Sequence, residues 1–214
     1  MFFFDVHTHK KSSLECVFSI ENKYPNAVNF ALPFSIGIHP WFINEKKIEK
    51  ELLIIEEKLQ QKKCFALGEC GLDKVIAIDF EIQKNVFKKQ VQLSEKYKKP
   101  MLIHCVKAFQ EIIVFKKEIQ PTQVWILHGF CKNLQVAKSL LKSGIILSFG
   151  AEIINNKKLQ VVFLELPLGS ILLETDNSPV EIKAVYQKVA EIKKMEVAAL
   201  QKEIKQNFKN IFVK

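Results

Sequence analysis

Eight short apolar runs, at positions 2–6, 15–20, 34–38, 64–67, 101–103, 124–127, 145–147 and 171–173, alternate with longer amphipathic stretches. Parallel strands cannot be joined by a tight turn, so short apolar runs spaced by helix-length segments read as strands joined by crossovers. Eight such units are the number that closes a (β/α)8 barrel of the TIM type. The segment 44–61 opens at Asn44, a good capping residue, and sets Ile48, Leu52, Ile55 and Leu59 on one face. The segment 80–98 repeats that spacing with Val86, Phe87, Gln90, Val91 and Tyr97 and stops before Pro100. Helices are also predicted over 107–118, 134–142, 179–193 and 196–207. Only residues 7–14 separate the first two runs, too few for an ordinary crossover helix, and 21–33 leaves room for little more than one helical turn. The expectation is a single α/β domain over 1–214, a (β/α)8 TIM-like barrel trimmed or distorted in its first βα units. A doubly wound open sheet is the structural alternative.

The chemistry-bearing residues collect at the ends of these runs. His7 and His9 follow the first, His39 the third, His104 the fifth and His128 the sixth; Glu69 follows the fourth in GECGLD, and Asp176 the eighth in LLETD. In a barrel the carboxyl ends of the strands converge on one face, where active sites form. Histidines kept only for packing would scatter instead. Residues two apart on a strand point to the same side, so His7 and His9 can reach one metal ion. Glu69 stands between Gly68 and Gly71, small neighbours that allow a sharp turn and a close approach to an ion. Its two oxygens can bridge two cations, which an imidazole cannot do. His104 and His128 can complete a second site with Glu69. Asp176 can bind metal and orient or deprotonate water. Helix-start chemistry is already offered by Asn177, Ser178 and Pro179, so Asp176 is not needed as a cap. His39, held extended by Pro40, reads either as a substrate- or phosphate-contacting residue or as a structural one.

The net charge is +9, and every basic residue is lysine. Basic charge favours a polyanionic partner through counterion release, yet a chain selected to grip phosphate normally uses the arginine fork. Charge therefore permits nucleic acid without identifying it. The five cysteines are odd in number and form no CxxC pair. They read as small buried thiols of a cytoplasmic protein rather than as disulfides or a thiolate metal site. There is no apolar stretch of membrane-spanning length, and the opening MFFFDVHTHK lacks a basic leader and soon meets Asp5, so neither a membrane span nor a signal peptide is expected.

Taken in order, DVHTH at 5–9, GIHP at 37–40, GECGLD at 68–73, PMLIHC at 100–105, ILHGF at 126–130, GIILSFG at 144–150 and LLETD at 172–176 resemble the motifs of the TatD-like hydrolases, a branch of the metal-dependent amidohydrolase superfamily. The resemblance implies a distorted TIM barrel with two divalent metal ions (Mg2+, Mn2+ or Zn2+). It implies His7, His9, Glu69 and Asp176 around one ion, and Glu69, His104 and His128 around the other. The implied activity is phosphodiester hydrolysis of DNA from the 3′ end, with Glu69 and Asp176 catalytic. His39 and Lys107 are the expected substrate contacts, DNA is the expected partner, and a monomer is the default state. NSPV at 177–180 departs from the family's aromatic-proline continuation, and the arginine that many relatives carry after His104 is absent. An intact metal site beside a reduced substrate channel is therefore expected. Two other readings compete. One is an amidohydrolase-type enzyme acting on a small amide, ester or phosphoester; the other is a non-catalytic nucleic-acid-interaction barrel, which would have had no reason to keep a full ligand set.

Overall fold

A computed structural model of the protein describes residues 2–10 and 15–213. Strands and helices alternate along the chain: β1 (Phe3–Thr8), β2 (Val17–Lys23), β3 (Phe34–Ile36), α1 (Ile48–Leu59), β4 (Cys64–Asp73), α2 (Phe80–Tyr97), β5 (Met101–Val106), α3 (Phe109–Ile119), β6 (Trp125–Leu127), α4 (Leu134–Lys142), β7 (Ile145–Phe149), α5 (Glu152–Asn155), α6 (Lys157–Leu164), β8 (Ile171–Leu173), α7 (Ile182–Lys193) and α8 (Val197–Phe212). The strand order is the chain order. The chain divides into two compact units, Met1–Glu21 with His128–Lys214, and Asn22–Leu127.

In the first unit β1 pairs in parallel with β2, and β7 with β8. Asp5 lies opposite Ser19 but Thr8 opposite Glu21, so β1 carries one extra residue, a bulge around Val6 and His7. Beyond the end of β8, Thr8 and Asp176 form a parallel bridge. The buried Tyr186 of α7 clamps β1 by accepting from Phe4 N and donating to Phe4 O, both at 3.1 Å. From α8, Asn207 donates to Leu168 O and Ile171 O at 2.7 and 2.9 Å, satisfying the entry to β8. Phe149 stands between Phe130 and Phe163, with ring centroids 5.4 and 4.8 Å away. All three are buried, each contributing about 1.5–3 kcal/mol of hydrophobic stabilisation.

In the second unit β3, β4, β5 and β6 run parallel in turn. Leu67 lies opposite Met101 and Cys70 opposite Ile103, so β4 bulges at Gly68 and Glu69. The two glycines of GECGLD are explained by the neighbouring strand. A Cβ on Gly68 would sit 2.3 Å from Leu102 O, one on Gly71 2.0 Å from His104 O, and both residues have positive φ. Helix α2 is capped by Asp79, whose carboxylate accepts from Glu81 N and Ile82 N. Its buried face holds Val86, Phe87 and Val91 together with two amides, Gln83 and Gln90. Each amide grips the end of a strand by both its atoms. Gln90 accepts from Ile38 N and donates to Ile38 O, at 2.8 and 3.2 Å, while Gln83 does the same to Asp73 at 2.8 and 3.0 Å.

Several boundaries differ from expectation. β4 continues through Asp73, which puts Glu69 inside a strand at its bulge rather than after the strand. Asn44 does not cap α1; it closes a turn by accepting from Lys46 N and Lys47 N, and the helix begins at Ile48. Ser178 likewise accepts from Val180 N in a turn, and α7 begins at Ile182 rather than 179. Lys107 has left-handed backbone (φ 53°), so α3 starts later, at Phe109. Two helices between β7 and β8 were not expected; Asn156 caps the second, accepting from Leu159 N at 3.0 Å. The stretch between β2 and β3 holds no helix. Of the connection 7–14, residues 11–14 lie outside the described residues. Among the described residues no helix is long and apolar enough to cross a membrane.

Candidate metal centre

The first unit gathers His7, His9, His128 and Asp176. Its frame is main chain: Asp176 N donates to His7 O at 2.9 Å and His9 N donates to Asp176 O at 3.1 Å. These bonds fix the end of β1 against residue 176, which takes positive φ (53°), a conformation that aspartate tolerates better than most residues. The result is that His7 Nε2 and His9 Nε2 stand 3.5 and 3.3 Å from the same oxygen, Asp176 Oδ1. Two donors sharing a tetrahedral ion through bonds of about 2.1 Å would be about 3.4 Å apart, so the spacing fits a divalent cation. His128 follows β6, its ring 4.4 Å from that of His7, and one ligand atom each of His7, His128 and Asp176 lie within 4.8 Å of one another.

A buried carboxylate stands beside this last histidine. Glu174 Oε1 accepts from Gly129 N at 2.7 Å and lies 3.4 Å from His128 Nδ1. A carboxylate on the Nδ1 side is the arrangement common among histidines that ligate metal through Nε2. Beside it, buried Asp5 accepts from Thr175 N and Thr175 Oγ1 at 3.0 and 2.7 Å. Burial pushes the Asp5 carboxyl up to about 7, against the pull of those hydrogen bonds. Asp176 is the reverse case. Burial would raise it, but hydrogen bonds from His7 and His9 and the charges of His7 and His128 hold it far below the usual carboxylate range. It therefore remains an anion, able to ligate a cation and accept from water.

The second unit gathers His39, Glu69 and His104, again with one ligand atom each within 4.8 Å. Here side chains make the frame. Asn22 accepts from Glu69 N at 2.9 Å and directs its amide toward Glu69 Oε2 at 3.4 Å. Glu69 Oε1 faces His39 Nε2 at 3.0 Å and His104 Nδ1 at 3.1 Å. The far nitrogen of His104 meets Asp73 Oδ2 at 3.1 Å, and the same oxygen accepts from Trp41 Nε1 at 2.7 Å. Burial raises the Asp73 carboxyl, but bonds from Trp41, Val75 and His104 bring it below its ordinary value. A carboxylate beside Nε2 favours the tautomer with the proton on that nitrogen, the form in which Nδ1 can share a cation with Glu69. His39 differs. Trp41 N donates to its Nδ1 at 3.1 Å, so the neutral ring carries its proton on Nε2 and is a hydrogen-bond donor rather than a ligand.

The structure thus groups His128 with His7 and Asp176, and His39 with Glu69 and His104. Lys107, just past β5, is exposed and makes no hydrogen bond or ion pair among the described residues. Asn22, Asp73, Trp41, Glu174 and Asp5 were not singled out in the sequence, although Asp73 and Glu174 lie inside GECGLD and LLETD. A second acid within a ligand motif was the available signal.

Strands ending in histidine and carboxylate clusters define the class: a metal-dependent hydrolase on a (β/α)8 barrel of the TIM type. The structure matches the crystal structure of YjjV, a TatD homologue from Escherichia coli, with a TM-score of 0.83 at 23% identity, covering 98% of this chain and 97% of that one. It matches a TatD-family hydrolase from Entamoeba histolytica with a TM-score of 0.80 at 17% identity, over 99% and 98% of the two chains. The family model described as TatD related DNase matches residues 2–213, and the chain belongs to that family. Among curated relatives, a Bacillus subtilis protein named as the uncharacterized metal-dependent hydrolase YabD is 31% identical over 83% of this chain and 76% of its own length. A Buchnera aphidicola metal-dependent hydrolase is 32% identical over 71% of this chain, an alignment that spans 59% of that relative.

Proposed function

We propose that the protein hydrolyses phosphodiester bonds of DNA, working from the 3′ end, with two divalent ions held by His7, His9, His128 and Asp176 and by Glu69 and His104. The observation that carries this reading is the donor spacing of 3.1–3.5 Å in both clusters, each with a carboxylate oxygen at its centre. Bound there, Mg2+, Mn2+ or Zn2+ would supply Lewis-acid activation of water and neutralise charge on phosphate oxygens. The chain's own groups do the rest. Asp176, kept ionised by its histidines, accepts from the attacking water and orients it. His39, its Nε2 proton turned to Glu69, lines the cleft beside that centre as a substrate contact, and Lys107 adds an exposed cation beyond β5. The lysine-rich surface attracts a polyanion over distance, more weakly as salt rises. Five free cysteines suit a reducing cytoplasm, with residues 1–214 acting as one catalytic domain in a monomer.

The test is metal-stripped protein incubated with 5′-labelled single-stranded DNA, with Mg2+, Mn2+ or Zn2+ restored, beside Glu69→Ala. A metal-dependent ladder shortening from the 3′ end, absent in the variant, is the expected result. No cleavage of DNA, with metal still bound, would transfer the assignment to the second reading, a small phosphoester or ester substrate. That reading is favoured by cleft size: the cleft beside Asp176 and Glu174 is about 240 Å3 and the one beside His39 about 310 Å3, at or below the lower end for small-ligand sites.

A further inference from the structure

The cleft beside His39 has a lining that the proposed chemistry does not use. It lies wholly in the second unit, among Tyr24, Asn26, His39, Phe42, Asn44, Lys47 and Glu51. Tyr24 and Phe42 form an aromatic corner, ring centroids 5.0 Å apart and nearly perpendicular. Phe42 is 56% exposed, as is the neighbouring Trp41, so its ring is open to a ligand from the solvent side. The rest of the lining is polar and carries both signs: the Lys47 ammonium, the Glu51 carboxylate, and the amides of Asn26 and Asn44. The Phe42 ring lies 5.6 Å from the His39 imidazole, a separation within the reach of one nucleotide from base to phosphate.

We propose that this cleft is a nucleobase subsite, which takes the base of the nucleotide whose phosphate reaches His39. It extends the phosphodiesterase reading and rests on it for the position of the phosphate. The charge pattern chooses the occupant. A phosphate placed here would meet Glu51, and a plain hydrocarbon would strip water from the Lys47 and Glu51 charges and offer them no hydrogen bond in return. A flat, neutral base fits both: its face lies on Phe42, and its keto and amino edges find Lys47, the asparagine amides and Glu51. Stacking on one aromatic side chain is tolerant of base identity, whereas the polar edge can discriminate. A volume of about 310 Å3 admits one nucleoside and not an oligomer. One base at a time is what an enzyme removing terminal nucleotides would need to hold.

The test uses the full chain in EDTA, so that it does not depend on metal or turnover. Binding of adenosine 5′-monophosphate and of ribose 5-phosphate is followed by ligand-observed NMR for wild type, Phe42→Ala and Phe42→Trp. The expected result is that wild type prefers the base-bearing ligand, and that Phe42→Ala weakens that ligand by about 5- to 150-fold, the range for loss of one stacking partner. Phe42→Trp should keep the preference, which separates loss of the ring from a general disturbance of the loop. Equal binding of the two ligands by wild type, or an unchanged affinity for the nucleotide in Phe42→Ala, would overturn the subsite. Failure of the phosphodiesterase reading registers separately, as absence of DNA cleavage by metal-restored wild type.

Discussion

In the first unit the candidate ligands are set by main chain, with Asp176 bonded through its own N and O to His7 and His9. In the second they are set by side chains, with Asn22 holding Glu69 and a Trp41–Asp73 pair holding His104. The raw materials are alike: a bulged strand delivers His7 in one and Glu69 in the other. The central carboxylates are not alike, since Asp176 is 42% exposed in its side chain and Glu69 only 5%. A ligand open to water can rely on hydrogen bonds that every residue carries. A ligand sunk between strands must have each oxygen matched by a dedicated partner, because an unmatched buried carboxylate is costly.

The largest effect should come from removing either centre. Glu69→Ala and Asp176→Ala should each lower hydrolysis by about a thousandfold or more, the loss of several kcal/mol of charge stabilisation. Steady-state rates on a labelled oligonucleotide check this, and a wide gap between the two variants would break the equivalence of the centres. Next is chelation. Removing a divalent ion present at a hundred times its dissociation constant should cost about 2.7 kcal/mol per site. Calorimetric melting with and without EDTA reads it, and an unchanged melting temperature would mean that neither cluster holds metal in the folded protein. A smaller effect separates the two kinds of frame. Asp73→Asn should weaken metal binding at the second centre by about 10- to 100-fold, as for other carboxylates behind a ligand histidine. Thr8→Val, which removes a side-chain hydroxyl beside the first centre but leaves its backbone bridge, should cost about 0.5–1.5 kcal/mol of stability and change metal affinity much less. Titration calorimetry on both variants would reverse the comparison if Thr8→Val proved the more damaging. The smallest signal is chemical. Cys131 of the first unit is exposed, whereas Cys70 and Cys64 of the second are buried, with the Cys64 thiol pushed up to about 12 by burial. Alkylation at pH 8, mapped by mass spectrometry, should reach Cys131 well before those two thiols. Equal rates would show the second centre to be looser than its frame suggests.

The strand ends that carry the histidines were legible because burial and chemistry leave different marks. Apolar runs such as MLI and WIL stop where His104 and His128 begin, although β1 runs on past His7 to Thr8 and β5 past His104 to Val106, so that of these only His128 stands directly after its strand. Gln90 shows the limit of the same logic. Its place on the apolar face of 80–98 was visible, but a buried amide has meaning only when the strand end it clamps is known. The bulges were invisible for a related reason. Register is a relation between two strands, and a single run such as CFALGECGLD does not disclose that β4 carries an extra residue at Gly68 and Glu69. α6 was missed although Asn156 followed by Leu159, Val162 and Phe163 carries a cap and a helical face, because the segment is short.

The main-chain bridge at Asp176 has an evolutionary meaning. Since its N and O, rather than its carboxylate, fix residue 176 against His7 and His9, that position is a socket into which another side chain can be placed without rebuilding the scaffold. A change to asparagine or histidine, which share aspartate's tolerance of that left-handed backbone, would present a neutral donor from the same anchored position. Metal preference in this lineage can therefore drift at one residue, while the second centre, tied to the joint fit of Asn22, Asp73 and Trp41, can change only by several substitutions together.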